Sequence, residues 1–387
     1  MDDLAKALDR LQAERLLRTR SIRTSAQQIE PVIDGRKVLS FCSNDYLGLA
    51  NHPDIIGRST QAAREHGVGS GASHLITGHH RSHQALEEEL AEFMGCERVL
   101  LFSTGYMANL GVISALAGRT SVLFEDRLNH ASLIDAAMLA RARLVRYAHL
   151  DTSELRRKLE AVPERSRLIA SDGVFSMDGT VAQVDALQAL ADSCGARLVI
   201  DDAHGIGVLG EHGKGCTEGR LAGNTVVVGT LGKAFGTFGA FAAGPREVIE
   251  WCLQRARSYV YTTALPPSLA EASRAALQLV REEPWRRERL QALVAHFRKC
   301  ADQAGLPLSS SATPIQPVIL GSPSAALEAS RSLLVEGILV PAIRPPTVAR
   351  RQARLRVTFS ATHDEAHVER LVEALARTCG PGGRTPD

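Results

Sequence analysis

From residue 98 to residue 228 the chain alternates short β-branched apolar runs with stretches of helical apolar spacing, and that alternation leaves few folds open. The pattern predicts strands over 98–102, 121–124, 144–147, 168–171, 198–200 and 225–228, with helices over 106–116, 131–140 and 153–161. The last three strands are almost continuously apolar. A strand with no polar face must be covered on both sides, as in a parallel sheet between helix layers.

A chain of 387 residues exceeds one ordinary core, so a second unit is expected. The character changes beyond Gly244. Helical spacing runs over 246–257, 268–283 and 288–304, followed by strands over 317–320, 338–343 and 355–359 and a closing helix over 364–378. The expected organisation is an N-terminal helix and arm at 1–45, a large domain at 46–285, a small α+β domain at 286–379 and a disordered tail at 380–387. The arm opens on an amphipathic helix over 4–20, with Leu4, Leu8 and Leu11 on one stripe. A short strand over 38–42 leads into Ser43-Asn44-Asp45-Tyr46-Leu47-Gly48. The glycine-rich segment 67–73 reads as a shaped loop.

Composition narrows the function classes. Acids and bases are intermixed to a net charge of +2, and aromatics make up 4%, so neither a cationic face nor stacking platforms favour nucleic acid. Seven scattered cysteines without a Cys-x-x-Cys pair read as reduced thiols. No apolar run approaches the roughly 20 residues of a membrane span, and the acidic N-terminus does not read as a signal peptide. The expectation is a cytoplasmic protein without a membrane segment.

In open α/β sheets ligands bind beyond the carboxyl ends of the strands. Lys233 comes just after the run 225–228 within Gly-Thr-Leu-Gly-Lys-Ala-Phe-Gly, and the strand before it ends in Asp201-Asp202-Ala203-His204-Gly205. An amine, a carboxylate and an imidazole at neighbouring strand ends suit pyridoxal phosphate (PLP). The amine binds its aldehyde, the carboxylate keeps its pyridine nitrogen protonated, and the imidazole reaches its phenolic oxygen. Upstream, Ser103-Thr104-Gly105-Tyr106 opens a helix whose free N–H groups favour a phosphate. Asn129-His130 offers a ring that can stack, and Ser176 a hydroxyl. Taken singly, each has an ordinary reading as a capped turn or a structural histidine. Their convergence on one ligand does not.

Two motifs point elsewhere. Gly205-Ile206-Gly207-Val208-Leu209-Gly210 matches the dinucleotide fingerprint of an NAD-dependent oxidoreductase, but the residues after it, Glu211-His212-Gly213-Lys214-Gly215, do not read as a helix. His79-His80-Arg81-Ser82-His83 suggests a metal, yet no acid or cysteine completes a shell. A helix start at a subunit contact is the stronger reading, and no metal is expected.

These residues, in this order, resemble the α-oxoamine synthases. The marks of the resemblance are 43–49, Glu87-Glu88-Glu89-Leu90-Ala91, 201–205 and the Lys233 segment. It implies the PLP-dependent transferase fold type I (aspartate aminotransferase-like), an α/β fold with a large, mostly parallel-sheet domain and a smaller α+β domain. It assigns Lys233 as the cofactor lysine, Asp201 to the ring nitrogen, and His204 and Ser176 to the phenolic side. Gly105, Tyr106 and Thr230 would hold the phosphate, with His130 on the ring and touching the substrate. Lys233, His130 and Asp201 would be catalytic. Arg18, Asn44, Thr347 and Arg356 would bind substrate alongside His130, with Arg356 clamping a carboxylate. Ile343-Arg344-Pro345-Pro346-Thr347-Val348 is similar to the members that join L-alanine to a pimeloyl thioester on CoA or a carrier protein; siblings such as glycine C-acetyltransferase share the PLP residues. Such enzymes are homodimers with a shared site, where Thr262-Thr263 could donate a hydroxyl. One departure stands out: the family usually has a proline and a glycine before Arg-Leu-Arg, whereas this chain reads Ala349-Arg350-Arg351-Gln352-Ala353. That substitution disfavours left-handed backbone in the loop.

Overall fold

The computed structural model describes residues 3–162, 166–221 and 223–380. The expected tail, 380–387, lies outside the described residues apart from Gly380. The chain forms two units, Leu49–Ser176 with Val181–Arg287, and Met1–Gly48 with Met177–Thr180 and Glu288–Asp387.

The first unit is built on a seven-stranded sheet. Its strands are β1 (Arg98–Phe102), β2 (Val122–Asp126), β3 (Arg143–Tyr147), β4 (Arg167–Asp172), β5 (Arg197–Asp201), β6 (Thr225–Thr230) and β7 (Ala240–Gly244), in the order β1-β7-β6-β5-β4-β2-β3. All neighbours are parallel except β7, which runs antiparallel between β1 and β6. The six predicted strands are present, each close to its apolar run. β7 has no counterpart in the prediction. Its Ala-Phe-Ala-Ala-Gly sequence has little strand propensity, and it is held by hydrogen bonds to strands on both sides. Helices α1 (Gly105–Leu116) and α2 (Ala131–Ala140) bury Val112, Ile113, Leu133 and Ala136 against Leu100, Leu123, Val199 and Val228 of the sheet. The parallel strands thus end on one edge, and the loops that leave that edge carry the residues singled out above.

In the second unit Ile315–Gly321, Ala353–Thr358 and Ala342–Ile343 form an antiparallel sheet, and Ile338–Leu339 pairs in parallel with Leu39–Ser40. The single strand expected over 338–343 is therefore two. Pro341, which has no N–H for a ladder, interrupts it, and its carbonyl accepts from Arg356 N instead (3.1 Å). The N-terminal helix is also shorter than expected. It spans Leu4–Ala13 rather than 4–20, because Arg15 adopts left-handed backbone (φ 56°) and the N–H groups of Leu16 and Leu17 turn back to Leu11 O. Leu4, Leu8 and Leu11 do share a stripe, and all three are exposed. No helix among the described residues is long and apolar enough to cross a membrane.

Candidate active site

One cavity of the first unit is lined by Gly105, Tyr106, His130, Ser176, Asp201, His204, Thr230 and Lys233, the residues that the sequence assigned to a single cofactor. Ser132, Asp172, Val174 and Ala203 complete its wall.

The backbone explains how each arrives. Thr104 caps α1: its Oγ1 accepts from Met107 N (3.2 Å) and its carbonyl from Ala108 N (3.0 Å). The N–H groups of Gly105 and Tyr106, first in the helix, find no acceptor among the described residues and suit an anion. Tyr106 is 40% exposed, and its hydroxyl donates to the Asp135 carboxylate. At the end of β6, Thr230 Oγ1 donates to Gly239 O (3.1 Å) and accepts from Gly232 N (3.3 Å). The turn that presents Lys233 is closed by Gly236 N to Lys233 O (2.9 Å) and Thr237 N to Leu231 O (2.9 Å). Gly236 is needed twice there: its φ is 65°, and a Cβ would overlap the Leu49–Ala50 backbone.

Asp201 leaves β5 with Oδ1 accepting from Ala203 N (3.1 Å) and Oδ2 from Asn109 Nδ2 (2.6 Å). His130 is the N-cap of α2. Its Nδ1 accepts from Ser132 N (3.3 Å) and lies 2.7 Å from Ser132 Oγ, and its own N–H donates to Asp172 Oδ1 (3.1 Å). Burial pulls the His130 imidazole below its ordinary range; Asp201 opposes that shift and Lys233 adds to it. Asp172 pairs with Asp201 across β4 and β5, and burial, reinforced by that neighbouring carboxylate, lifts its carboxyl well above the usual range. The amine, carboxylate, imidazoles, hydroxyls and helix N-terminus together match the aldehyde, ring nitrogen, phenolic oxygen and phosphate of PLP.

Sequence reasoning missed Asn109, Ser132 and Asp172. Asn109 had a signal, as the one amide in an otherwise apolar helix; the other two read as ordinary turn residues.

Of the five residues expected to touch substrate, His130 lines the cavity and the other four lie in the second unit. Arg356 donates to Asn44 Oδ1 through Nη1 and Nη2 (3.3 Å each), and Tyr46 OH donates to the same oxygen (3.2 Å). Arg18 Nη2 donates to Thr347 Oγ1 (3.4 Å). In the departing loop Arg351 adopts the left-handed backbone that glycine would favour (φ 62°), so the turn persists despite the side chain.

Neither competing motif keeps its chemistry. Residues 203–213 are turns with no helix after them; Gly207 and Gly210 serve left-handed turns (φ 85° and 84°), and Gly205 lies against the Asp202 carboxylate. His80 caps the helix Arg81–Met94. His74, His79 and His83 bring ring nitrogens within 4.8 Å of one another. Hydrogen bonds occupy both ring nitrogens of His79 and His83 and Nδ1 of His74. His83 Nδ1 accepts from His80 N (2.9 Å), so its Nε2 must donate to Leu265 O (2.7 Å). His79 bridges His74 Nδ1 (2.9 Å) and Gln84 Oε1 (3.3 Å). A cation would have to break these bonds first.

A parallel sheet whose strand ends gather a lysine, an aspartate, histidines and a helix N-terminus defines the aminotransferase class of fold. The chain belongs to the aminotransferase class I and II family, whose model matches residues 36–375. It is 55% identical over 369 residues to the 8-amino-7-oxononanoate synthase of Nitrosococcus oceani, covering 95% of this chain and 98% of that one. Among solved structures it is similar to a Sphingomonas wittichii serine palmitoyltransferase (TM-score 0.92, 32% identity, 98% and 97% covered). It is also similar to the 8-amino-7-oxononanoate synthase of Francisella tularensis (TM-score 0.77, 30% identity, 88% and 97% covered).

Proposed function

We propose that this chain is a PLP-dependent acyltransferase with the activity of an 8-amino-7-oxononanoate synthase. It condenses L-alanine with a pimeloyl thioester and releases CO2 and the free thiol, a step of biotin biosynthesis. The observation that carries the reading is the cavity itself, eight PLP-suited residues from five strand ends lining one wall, in a chain 55% identical to a relative of that name.

PLP supplies an electron sink for the carbanion at the α-carbon of alanine. The protein supplies the rest. Lys233 would hold the cofactor aldehyde through its ε-amine, and that amine is the base that would take the α-proton of alanine. Asp201 holds a proton on the pyridine nitrogen. Gly105, Tyr106 and Thr230 bind the phosphate, Ser176 and His204 the phenolic side, and His130 the ring face. Arg356, steadied by Asn44, clamps the carboxylate of alanine with its fork, and Arg18 and Thr347 hold the acyl chain.

The enzyme works as a cytoplasmic homodimer. Support for the dimer comes from large apolar side chains that one chain leaves exposed: Leu4, Val68, Ile76 and Tyr261 are each more than 70% open to solvent. The test offers alanine, glycine or serine against pimeloyl-, acetyl-, succinyl- and palmitoyl-CoA and measures thiol release. Alanine with the pimeloyl donor should dominate by at least about tenfold, a margin of about 1.4 kcal/mol. Preference for glycine with acetyl-CoA would assign the chain to glycine C-acetyltransferase. Replacing Lys233 with alanine should abolish turnover while PLP still binds noncovalently, and mass spectrometry of the borohydride-reduced protein should place the phosphopyridoxyl group on the Lys233 peptide.

A further inference from the structure

α1 is apolar along nearly its whole length, yet it buries a carboxamide, Asn109, with no exposed surface. The amide is used unevenly. Nδ2 spends one hydrogen on Asp201 Oδ2 (2.6 Å) and the other on Ser132 Oγ (2.8 Å). Oδ1 is buried without a hydrogen-bond partner among the described residues. An orphaned buried carbonyl costs stability, and an apolar residue of similar size would avoid that cost. Turning the amide over would place Oδ1 against the Asp201 carboxylate, which has no hydrogen to give, so the orientation is set by Asp201.

The two bonds link two groups of the pocket. Ser132 Oγ receives the Asn109 hydrogen, so its own hydrogen is free to go to His130 Nδ1, 2.7 Å away. Nδ1 also accepts the backbone N–H of Ser132. A nitrogen that accepts twice carries no proton, and the hydrogen of the neutral imidazole sits on Nε2.

We infer that Asn109 is a positioning residue that ties Asp201 to His130, fixing the carboxylate for the ring nitrogen of the cofactor and, through Ser132, the tautomer and ring plane of the histidine. The inference rests on the proposed function for the roles of Asp201 and His130. The link itself does not depend on that reading.

The test uses Asn109→Leu, Asn109→Asp, Ser132→Ala and Ser132→Thr, with two readouts. One is PLP affinity. The other is the His130 resonances of 15N-histidine-labelled apoprotein, assigned with a His130→Gln control. Asn109→Leu should weaken PLP binding by about 10- to 100-fold, as expected for losing a hydrogen bond to a charged group, and should move the His130 nitrogens toward a tautomer mixture. Asn109→Asp, which sets a second carboxylate beside Asp201, should weaken PLP at least as much. Ser132→Ala should weaken PLP less than Asn109→Leu does while moving the His130 resonances, and Ser132→Thr should restore them. The inference is overturned if Asn109→Leu, folded by circular dichroism, binds PLP like the wild type. An unchanged tautomer in Ser132→Ala overturns it equally, and that arm decides if Asn109→Leu does not fold. A wild-type protein that takes no PLP onto Lys233 would instead defeat the functional proposal, with the tautomer arm still readable on apoprotein.

Discussion

The cavity at the strand ends and the histidine knot at 74–83 belong to the same unit and draw on the same chemistry, yet they differ in what is left unspent. In the cavity, strand-end loops present the first N–H groups of α1, the Nε2–H of His130 and the Asp201 carboxylate, each with hydrogen-bonding capacity facing an open volume. In the knot, His83 spends both nitrogens on backbone groups, and His74 stacks on Tyr259 at 4.9 Å. Gathered titratable groups make a site only where valences remain. Where they are spent within the protein, as at His79 and His83, the same residue type is structural.

Perturbing the two regions should therefore give opposite signatures. The largest effect is expected in the cavity: Asp201→Asn should slow α-proton exchange of alanine by about two to four orders of magnitude with little change in melting temperature. Exchange at the wild-type rate would erase the distinction. In the knot, His83→Gln should leave PLP binding and exchange unaltered but cost about 1–3 kcal/mol of stability at pH 7.5, measured by urea unfolding.

The knot should also be acid-sensitive. Burial pulls His74 down to about 3 and His83 to about 4. Both lie below the unfolded value of about 6.5, so the unfolded chain takes up these protons first, and stability falls as pH drops from about 6.5 toward 4. His74→Phe should flatten that slope; an unchanged slope would show that the rings are solvated rather than packed.

Glu125 supplies a third case, a buried acid with neither ligand nor partner among the described residues. It is fully buried on β2, and neither carboxylate oxygen has a hydrogen-bond partner there. Desolvation raises it to about 7, against the opposing pull of Arg146. The sign is opposite to that of the histidines: the cost is absent below about pH 4.5, where both states are protonated, and complete above about pH 7. Glu125→Gln should thus stabilise the protein by about 1–2 kcal/mol at pH 8, with the gain gone by about pH 4.5 in paired urea titrations. A loss at pH 8 would show that the carboxylate serves a partner after all.

Legibility tracked the range of the interactions. Strands β1 to β6 could be read because each carries its own apolar run, and the eight residues that line the cavity could be singled out because they stand at or just after those runs and match the family resemblance. β7 could not: its alanines acquire a strand only from β1 and β6 on either side. The helix expected over 4–20 was overread because no glycine or proline marks its end, which comes where Arg15 adopts left-handed backbone. Asp172 was passed over because a Ser-Asp-Gly turn looks the same whether or not a second carboxylate lies opposite.

By itself the sequence determined which residue types stand at which strand ends, and therefore the chemistry available, because spacing along a strand or helix is a local property. Tertiary structure alone decided which of them meet. The bond from Asn109 to Asp201 spans 92 positions of chain, and only the packing of α1 against the sheet brings that amide within reach of the carboxylate. The same packing separates a histidine that faces the cavity from one that closes a knot, a difference set by neighbours distant in sequence and invisible in residue type.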